Sequence, residues 1–102
     1  MMKNCGLDDE EVEALRGVFA RNSRVKRAVL YGSRAKGTYR PFSDMDITLE
    51  GDELTYDDLL DLSMEIDDLL LPYELDMNLR KNLKNAALIE HIDRVGIPLY
   101  ER

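Results

Sequence analysis

Residues 31–49 read YGSRAKGTYRPFSDMDITL, and this stretch decides which fold the chain is expected to adopt. An apolar run ends at Gly32 and Ser33, and an alternating segment follows in which Asp44 and Asp46 fall on one face. The opposite face of that segment is apolar, with Met45, Ile47 and Leu49. A glycine-serine turn beside a strand with two aspartates predicts a sheet whose polar face carries a functional site.

Length and composition fit one small globular domain that spans residues 1–102. No apolar run approaches the roughly 18 residues that a membrane span needs. The N-terminus lacks the apolar segment of a secretory signal. A single cysteine, Cys5, excludes an internal disulfide framework and is typical of a reducing compartment. We therefore expect a cytoplasmic protein.

The formal net charge of -7 argues against general nucleic-acid binding, because a surface that follows phosphates needs clustered cations. The charges are unevenly placed. Eight of the 14 Lys and Arg lie between Arg16 and Arg40, whereas residues 50–68 hold nine acids and no base. A local basic zone favours a small polyanion such as a nucleotide. The alternative is two solvated helix faces of opposite sign.

Hydrophobic periodicity predicts the element order α-β-(turn)-β-α-β-α-β. Helices are expected at residues 8–22, 56–70 and 84–95, and strands at residues 25–31, 43–49, 73–79 and 97–100. Asp8 with Glu11 is expected to cap the first helix and Thr55 the second, and Gly96 is expected to end the last one as a left-handed cap. The predicted fold class is α+β in two layers, a small mixed β-sheet with helices packed on one face and an open polar face.

A third aspartate lies on the other alternating strand. Asp76 is preferred there over Glu74, which shares its predicted face, because Asp76 lies in the middle of the strand. If the two strands are neighbours, Asp76 joins Asp44 and Asp46 on one surface, where the carboxylates would raise one another's pKa values unless cations were present. Mg²⁺ suits such oxygen ligands. Two Mg²⁺ ions can clamp the oxygens of a phosphoryl displacement.

The turn after the first strand has a matching use, because the backbone N–H groups of Gly32 and Ser33 and the serine hydroxyl can hold a triphosphate. Each feature alone also has a plainer interpretation. A single Asp-x-Asp is most often a solvated strand face. His91, the only histidine, is interpreted as a surface or helix-packing residue.

Four better-known motifs do not fit. GSRAKG lacks both the Gly-Lys-Ser/Thr ending of a Walker loop and the three glycines of a dinucleotide fingerprint. Residues 44–48 have the D-x-D-x-T form of a haloacid-dehalogenase-type phosphatase, but RPFS at 40–43 is not the apolar strand that leads into that motif. An EF-hand fails because Leu49 and Thr55 stand where glycine and glutamate are required.

Gly32-Ser33, ten residues and then Asp44-x-Asp46 resemble the G-S-x10-D-x-D signature of the polymerase-beta-like nucleotidyltransferase superfamily. The flanking sequence LYGSRAKGTYRPFSDMDI looks like that of the minimal nucleotidyltransferases, single-domain bacterial and archaeal proteins of similar length. The segments ELDMNL and IEHIDRVGIPLY extend the likeness over nearly the whole chain. The resemblance implies the polymerase-beta-like fold, with ATP as substrate and Mg²⁺ as cofactor.

The resemblance also implies residue roles. Gly32 and Ser33 would hold the triphosphate, and the two signature aspartates would ligate two Mg²⁺ ions. Asp76 would help to bind the catalytic metal and would accept the proton of the attacking hydroxyl. Arg34 and Lys36 lie where they could neutralise phosphate charge.

Family members act with a small helical HEPN partner, an RNase-type toxin that is also called the nucleotidyltransferase substrate-binding protein. The resemblance implies an antitoxin that transfers AMP from ATP to a tyrosine of that partner and silences it. Two alternatives stay open. The chain could inhibit its partner by occlusion without catalysis, for which the acidic segment 50–68 would suit a basic partner. Alternatively, it could transfer the nucleotide to a small molecule.

Overall fold

The computed structural model describes residues 5–40 and 43–102. The helices are α1 Asp9–Ala20, α2 Ser33–Lys36, α3 Tyr56–Asp67 and α4 Ala86–Val95, with a short 3-10 helix at Arg80–Asn82. The strands are β1 Arg27–Tyr31, β2 Met45–Glu50, β3 Leu75–Leu79 and β4 Ile97–Glu101. The predicted order of elements is confirmed. The segment RPFS at 40–43, which the sequence does not assign to an apolar strand, includes residues 41 and 42, and these two lie outside the described residues.

One four-stranded sheet has the order β3-β2-β1-β4. β1 is antiparallel to both β2 and β4, whereas β2 and β3 are parallel and are joined through α3, as a parallel pair requires. In this register Asp46 is directly opposite Asp76 on one side and opposite Tyr31 on the other. The two aspartate strands are neighbours, which fulfils the condition set in the sequence analysis, and the mixed α+β fold class is confirmed.

Local sequence signals set the helix ends. Asp8 forms a capping box with Glu11 at the start of α1, and Thr55 forms one with Asp58 at the start of α3. Gly96 differs from the expectation: its φ is -58°, so it is not a left-handed cap. A glycine is nevertheless needed there, because a Cβ would collide with the backbone of Ile92 at the end of α4.

The main core lies between one face of the sheet and the helices α1 and α3. It includes the fully buried side chains of Leu15, Phe19, Leu30, Ile47 and Leu62. Burying side chains of this size contributes about 1.5–3 kcal/mol each. No helix within the described ranges is both long and apolar enough to cross a membrane.

The third long helix does not lie where the sequence predicts. α4 packs on the opposite face of the sheet, where Ile92 contacts Val29 and Tyr31 of β1. The physical reason is that β1 is apolar on both faces, with Ala28 and Leu30 in the main core and Val29 beneath α4. The helices therefore cover both faces at β1. The polar residues of β2 and β3 lie beside α4.

Candidate active site

The first strand ends in a backbone conformation that requires glycine. Gly32 has φ 76° and ψ -152°, a backbone conformation that residues with a side chain rarely adopt. A Cβ at Gly32 would also collide with the carboxylate Oδ2 of Asp46. The chain can therefore turn sharply against Asp46 only with glycine at this position. The close approach of Gly32 to Asp46 places the turn directly beside the carboxylates of the neighbouring strand.

After this turn, α2 makes a single helical turn and ends at Gly37, a left-handed cap with φ 82°. The N–H groups at the start of a helix have no acceptor within it. The N–H of Gly32 itself is already used, because it donates to Nε2 of His91 at 3.1 Å. The N–H of Gly32 thus has an acceptor within the fold, and its contact with a phosphate stays a prediction. Ser33 is the next residue along the turn.

The carboxylates of Asp46 and Asp76 are neighbours across the parallel pair of β2 and β3. Asp44 is exposed and lies just before β2. Burial raises the pKa of Asp46 above its usual range, the negative charges of Asp76 and Asp44 raise it further, and His91 opposes them. The site thus holds carboxylates that repel one another, and a bound cation would relieve that repulsion.

Tyr31, Thr48 and Asn78 adjoin these carboxylates on the same face of the sheet, and none of them was among the predicted site residues. Thr48 and Asn78 are paired in register, one step beyond the two aspartates. Asn78 Nδ2 donates to the hydroxyl of Tyr31 at 2.7 Å. Burial is the main reason that the pKa of Tyr31 is raised, although the hydrogen bond from Asn78 opposes the rise. Two-residue alternation along β2 and β3 already places Thr48 and Asn78 on this face, but alternation alone does not assign them a role in the site.

Two buried polar atoms on this face lack hydrogen-bond partners among the described residues: Thr48 Oγ1 and Asn78 Oδ1. Such atoms are uncommon, because leaving a buried polar atom without a partner costs about 1–3 kcal/mol. Both lie in the polar layer beside the carboxylates. The side chains there are not arranged for folding stability alone.

His91 has the helix-packing role that the sequence indicates, together with a contact that sequence alone does not reveal. Its ring packs nearly perpendicular to that of Tyr31, with centroids 6.3 Å apart and planes at 81°. Through Nε2 it accepts the hydrogen bond from Gly32. His91 therefore fixes α4 to the turn that faces Asp46.

Arg34, in contrast to Lys36, is buried. Its side chain is 1% exposed, and its guanidinium donates to the carbonyl oxygens of Cys5 and Ser43 at 2.9–3.1 Å. The guanidinium also stacks 4.3 Å from the ring centre of Tyr73. Residues 34 and 36 are about 200° apart around a helix, so they point to opposite sides. Lys36 is exposed and stays a candidate phosphate contact, whereas Arg34 joins α2 to the segment before Asp44.

The donor set fits Mg²⁺ although it is not a complete metal cage. No group of three or more His, Cys, Asp or Glu side chains within the described ranges is arranged to hold a metal ion by itself. Mg²⁺ does not require such a group, because it keeps several waters and uses one or two carboxylates together with substrate phosphates. Asp46 and Asp76, with Asp44 nearby, supply hard oxygen ligands of this kind.

Comparison with known proteins agrees with this geometry. The sequence profile of the family described as polymerase beta, nucleotidyltransferase matches residues 13–102. A Methanocaldococcus jannaschii protein, named as a candidate protein adenylyltransferase, is 38% identical over 69 residues. The match covers 68% of this chain and 63% of that relative, so this chain spans less than two thirds of the relative's length.

Solved structures share the fold at lower sequence identity. A toxin–antitoxin crystal structure with AMP-PNP superposes with a TM-score of 0.70 and 18% identity, covering 94% of this chain and 75% of the matched chain. A complex of tri-AMPylated Shewanella oneidensis HEPN toxin with MNT antitoxin gives a TM-score of 0.70 and 13% identity, covering 94% and 74%. At these identities the similarity establishes the fold.

Proposed function

Because this chain belongs to the polymerase beta nucleotidyltransferase family, we propose that it is a Mg²⁺-dependent, single-domain nucleotidyltransferase of the cytoplasm. It transfers AMP from ATP to the hydroxyl group of a tyrosine in a HEPN-type helical protein, and so acts as an antitoxin. The observation that carries this proposal is the placement of Asp46 directly opposite Asp76, against the Gly32 turn. That arrangement puts carboxylates within reach of phosphates bound at the turn.

In this proposal the turn binds the triphosphate, through the hydroxyl and N–H of Ser33 and the charge of Lys36. Asp44, Asp46 and Asp76 would hold two Mg²⁺ ions. Bound Mg²⁺ supplies positive charge that stabilises the developing negative charge on the phosphate oxygens. Asp76 accepts the proton of the acceptor hydroxyl, whose oxygen bonds to the α-phosphorus while the bond to the β-phosphate breaks and pyrophosphate leaves.

A protein is the favoured acceptor for a structural reason. Asp76 is exposed and lies on β3, which is an edge strand of the sheet. A side chain of another folded protein can approach such a position directly. The names of the similar proteins support the same acceptor class, since one is a candidate protein adenylyltransferase and another is an MNT antitoxin bound to an AMPylated HEPN toxin.

The test uses ATP labelled at either the α- or the γ-phosphate, Mg²⁺ and lysate of the native cells. The wild-type protein should label a protein band with the α-label only. Asp46→Asn should lower this transfer by about a thousandfold, because it removes a charged metal ligand. Asp52→Asn, an exposed aspartate in the loop after β2, is the matched control and should transfer normally.

A band that carries the γ-label would indicate phosphoryl transfer and would contradict the proposal, as would full transfer by Asp46→Asn. Inhibition of the partner that needs no ATP and survives Asp46→Asn would favour occlusion instead. The acidic helix α3 is the feature that gives occlusion its support.

A further inference from the structure

The outer side of α3 exposes a row of large apolar side chains. Tyr56, Leu60 and Met64 follow one another at four-residue spacing and are 68%, 45% and 67% exposed. Residues at this spacing form the ridge that packs into the groove of another helix. No element within the described ranges covers this row, because the opposite side of α3 packs on the sheet through Leu62 and Ile66.

Leu70, just beyond α3, adds a second unusual feature near the same helix. It is 87% exposed and has φ 56°, which makes it the one non-glycine residue of the described ranges with a positive φ. An L-residue in the left-handed region costs roughly 1–2 kcal/mol. The exposed leucine has no packing within the fold that offsets this cost. We use the name α3 row for Tyr56, Leu60, Met64 and Leu70.

Acidic residues run along one edge of the α3 row. Glu65 and Asp58 are already paired with Arg21 and Arg24, at 3.4 and 3.1 Å. The exposed acids between residues 56 and 68 have no basic partner among the described residues: Asp57, Asp61, Asp67 and Asp68. The surface thus combines apolar contact area with uncompensated negative charge.

A groove of about 700 Å³ lies beside this edge, between α3 and the end of α1. Met64 forms part of its wall, together with the carboxylates of Asp61 and Asp68. Arg21 and Arg24 also line the groove, but each is engaged with a carboxylate of α3. The unpaired carboxylates therefore give the groove room and charge for a lysine or arginine side chain.

We propose that the α3 row is a docking surface for a helix of a second protein, one whose apolar stripe is flanked by lysine or arginine. Charge complementarity selects this occupant. A second copy of this chain would bring a net charge of -7 and the same acidic edge, so the two acidic surfaces would repel. A basic amphipathic helix instead pairs its cations with Asp57, Asp61 and Asp68 while its stripe covers the apolar row.

The surface lies on the layer opposite the carboxylates of Asp46 and Asp76, so a partner docked on α3 leaves the site uncovered. Identifying this partner with the acceptor of AMP rests on the proposed function. The docking itself does not, because it needs neither ATP nor Mg²⁺.

The test uses a synthetic helical peptide of about 20 residues that carries a leucine stripe flanked by lysines and contains no Ser, Thr or Tyr. Binding to the full chain is measured by fluorescence anisotropy without ATP. We expect binding that weakens about tenfold with Leu60→Ser plus Met64→Ser, and again about tenfold with Asp57→Asn, Asp61→Asn and Asp68→Asn together. These positions are exposed, so the folded protein should persist, as its thermal unfolding will verify.

The matched controls are a peptide whose lysines are replaced by glutamates and a protein with Asp9→Asn, Glu10→Gln and Asp93→Asn, which loses the same charge elsewhere. The glutamate peptide should not bind, and the control protein should bind the lysine peptide as wild type does. Absence of binding, or an equal loss in both charge variants, would overturn the proposal. A dimer of this chain in sedimentation that Leu60→Ser plus Met64→Ser disrupts would assign the row to a second copy.

The same peptide connects the surface to the acceptor. Where the α-label transfers to a protein band, saturating peptide should raise the KM for that acceptor and leave kcat unchanged, because it blocks docking and not chemistry. Transfer that saturating peptide leaves unchanged would show that the acceptor does not dock on the α3 row, and would overturn that part of the proposal. If no transfer occurs at all, peptide binding still decides the docking surface, so the two proposals fail separately.

Discussion

Asp58 and Asp46 lie on opposite sides of the same sheet, and their carboxylates have opposite surroundings. Asp58 caps α3, where the N–H of Thr55 is the main cause that lowers its pKa to about 2, helped by Arg24 and Asn22. Asp46 faces two other aspartates, and burial with their charges raises its pKa. One carboxylate therefore stabilises the fold when ionised, whereas the other destabilises it.

The same contrast extends to the layers around them. The face under α1 and α3 is a continuous apolar core. On the face beside α4, polar atoms of Thr48 and Asn78 lack hydrogen-bond partners among residues 5–40 and 43–102. Local departures from good folding chemistry are expected where a protein binds a ligand. The contrast indicates that one face of the sheet stabilises the fold and the other carries the candidate active site. Substitutions on the two faces should therefore affect different measurements.

The largest effect on folding should come from the core face. Phe19→Ala removes a fully buried ring between α1 and the sheet, and should lower the free energy of unfolding by about 3–5 kcal/mol in urea denaturation. Ala20→Gly, at the exposed end of α1, is the control and should cost no more than about 1 kcal/mol. A loss below about 1 kcal/mol for Phe19→Ala would mean that the face under α1 and α3 is not the main source of stability.

On the site face, His91 should affect catalysis more than folding. His91→Phe keeps a ring against Tyr31 but removes the acceptor for the N–H of Gly32. We expect a loss of about tenfold or more in transfer, because the turn beside Asp46 is no longer fixed. His91→Gln, which keeps an acceptor, should recover part of the loss in kcat/KM. Equal activity of both variants would show that the hydrogen bond has no role in positioning.

The two aspartates should respond to pH with opposite signs, measured as the Tm of each variant against wild type without divalent metal. Asp58→Asn should lower Tm at neutral pH, and the difference should disappear as pH falls from the ordinary value of 3.8 through about 2, where wild type loses the same charge. Asp46→Asn should raise Tm at neutral pH, because it removes a repelled charge.

The gain from Asp46→Asn should fade as pH falls through the raised pKa of Asp46 towards 3.8, where wild-type Asp46 becomes protonated. Added Mg²⁺ should raise the Tm of wild type and have less effect on Asp46→Asn. A variant that is less stable than wild type at neutral pH would contradict the repulsion between the carboxylates.

The smallest expected effect comes from a matched pair of substitutions, one on each face of the sheet. Thr48→Val removes a buried hydroxyl that has no hydrogen-bond partner in the described part of the chain, and should raise the free energy of unfolding by up to about 1 kcal/mol. Val18→Thr adds such a hydroxyl to the apolar face and should lower it by about 1–3 kcal/mol. Chemical denaturation of both variants tests the pair. Destabilisation by Thr48→Val would show that its hydroxyl contributes to folding.

Several features of the fold were predicted because their causes are local. The caps at Asp8 and Thr55 depend on residues three positions apart, and the strand of Asp46 is defined by two-residue alternation. The pairing of that strand with the strand of Asp76 was only a condition of the sequence argument, and the structure fulfils it. Two features were predicted wrongly: the face that α4 covers and the left-handed cap at Gly96.

The sequence by itself determined the elements, their order and the carboxylates, because hydrogen bonding and alternation within a few residues control these features. Only the tertiary structure decided that α4 crosses to the other face, that His91 takes the N–H of Gly32 and that Arg34 turns into the core. Each of these depends on partners far apart in the chain, 59 residues for His91 and Gly32 and 29 for Arg34 and Cys5. Side-chain spacing carries no information about such distant partners.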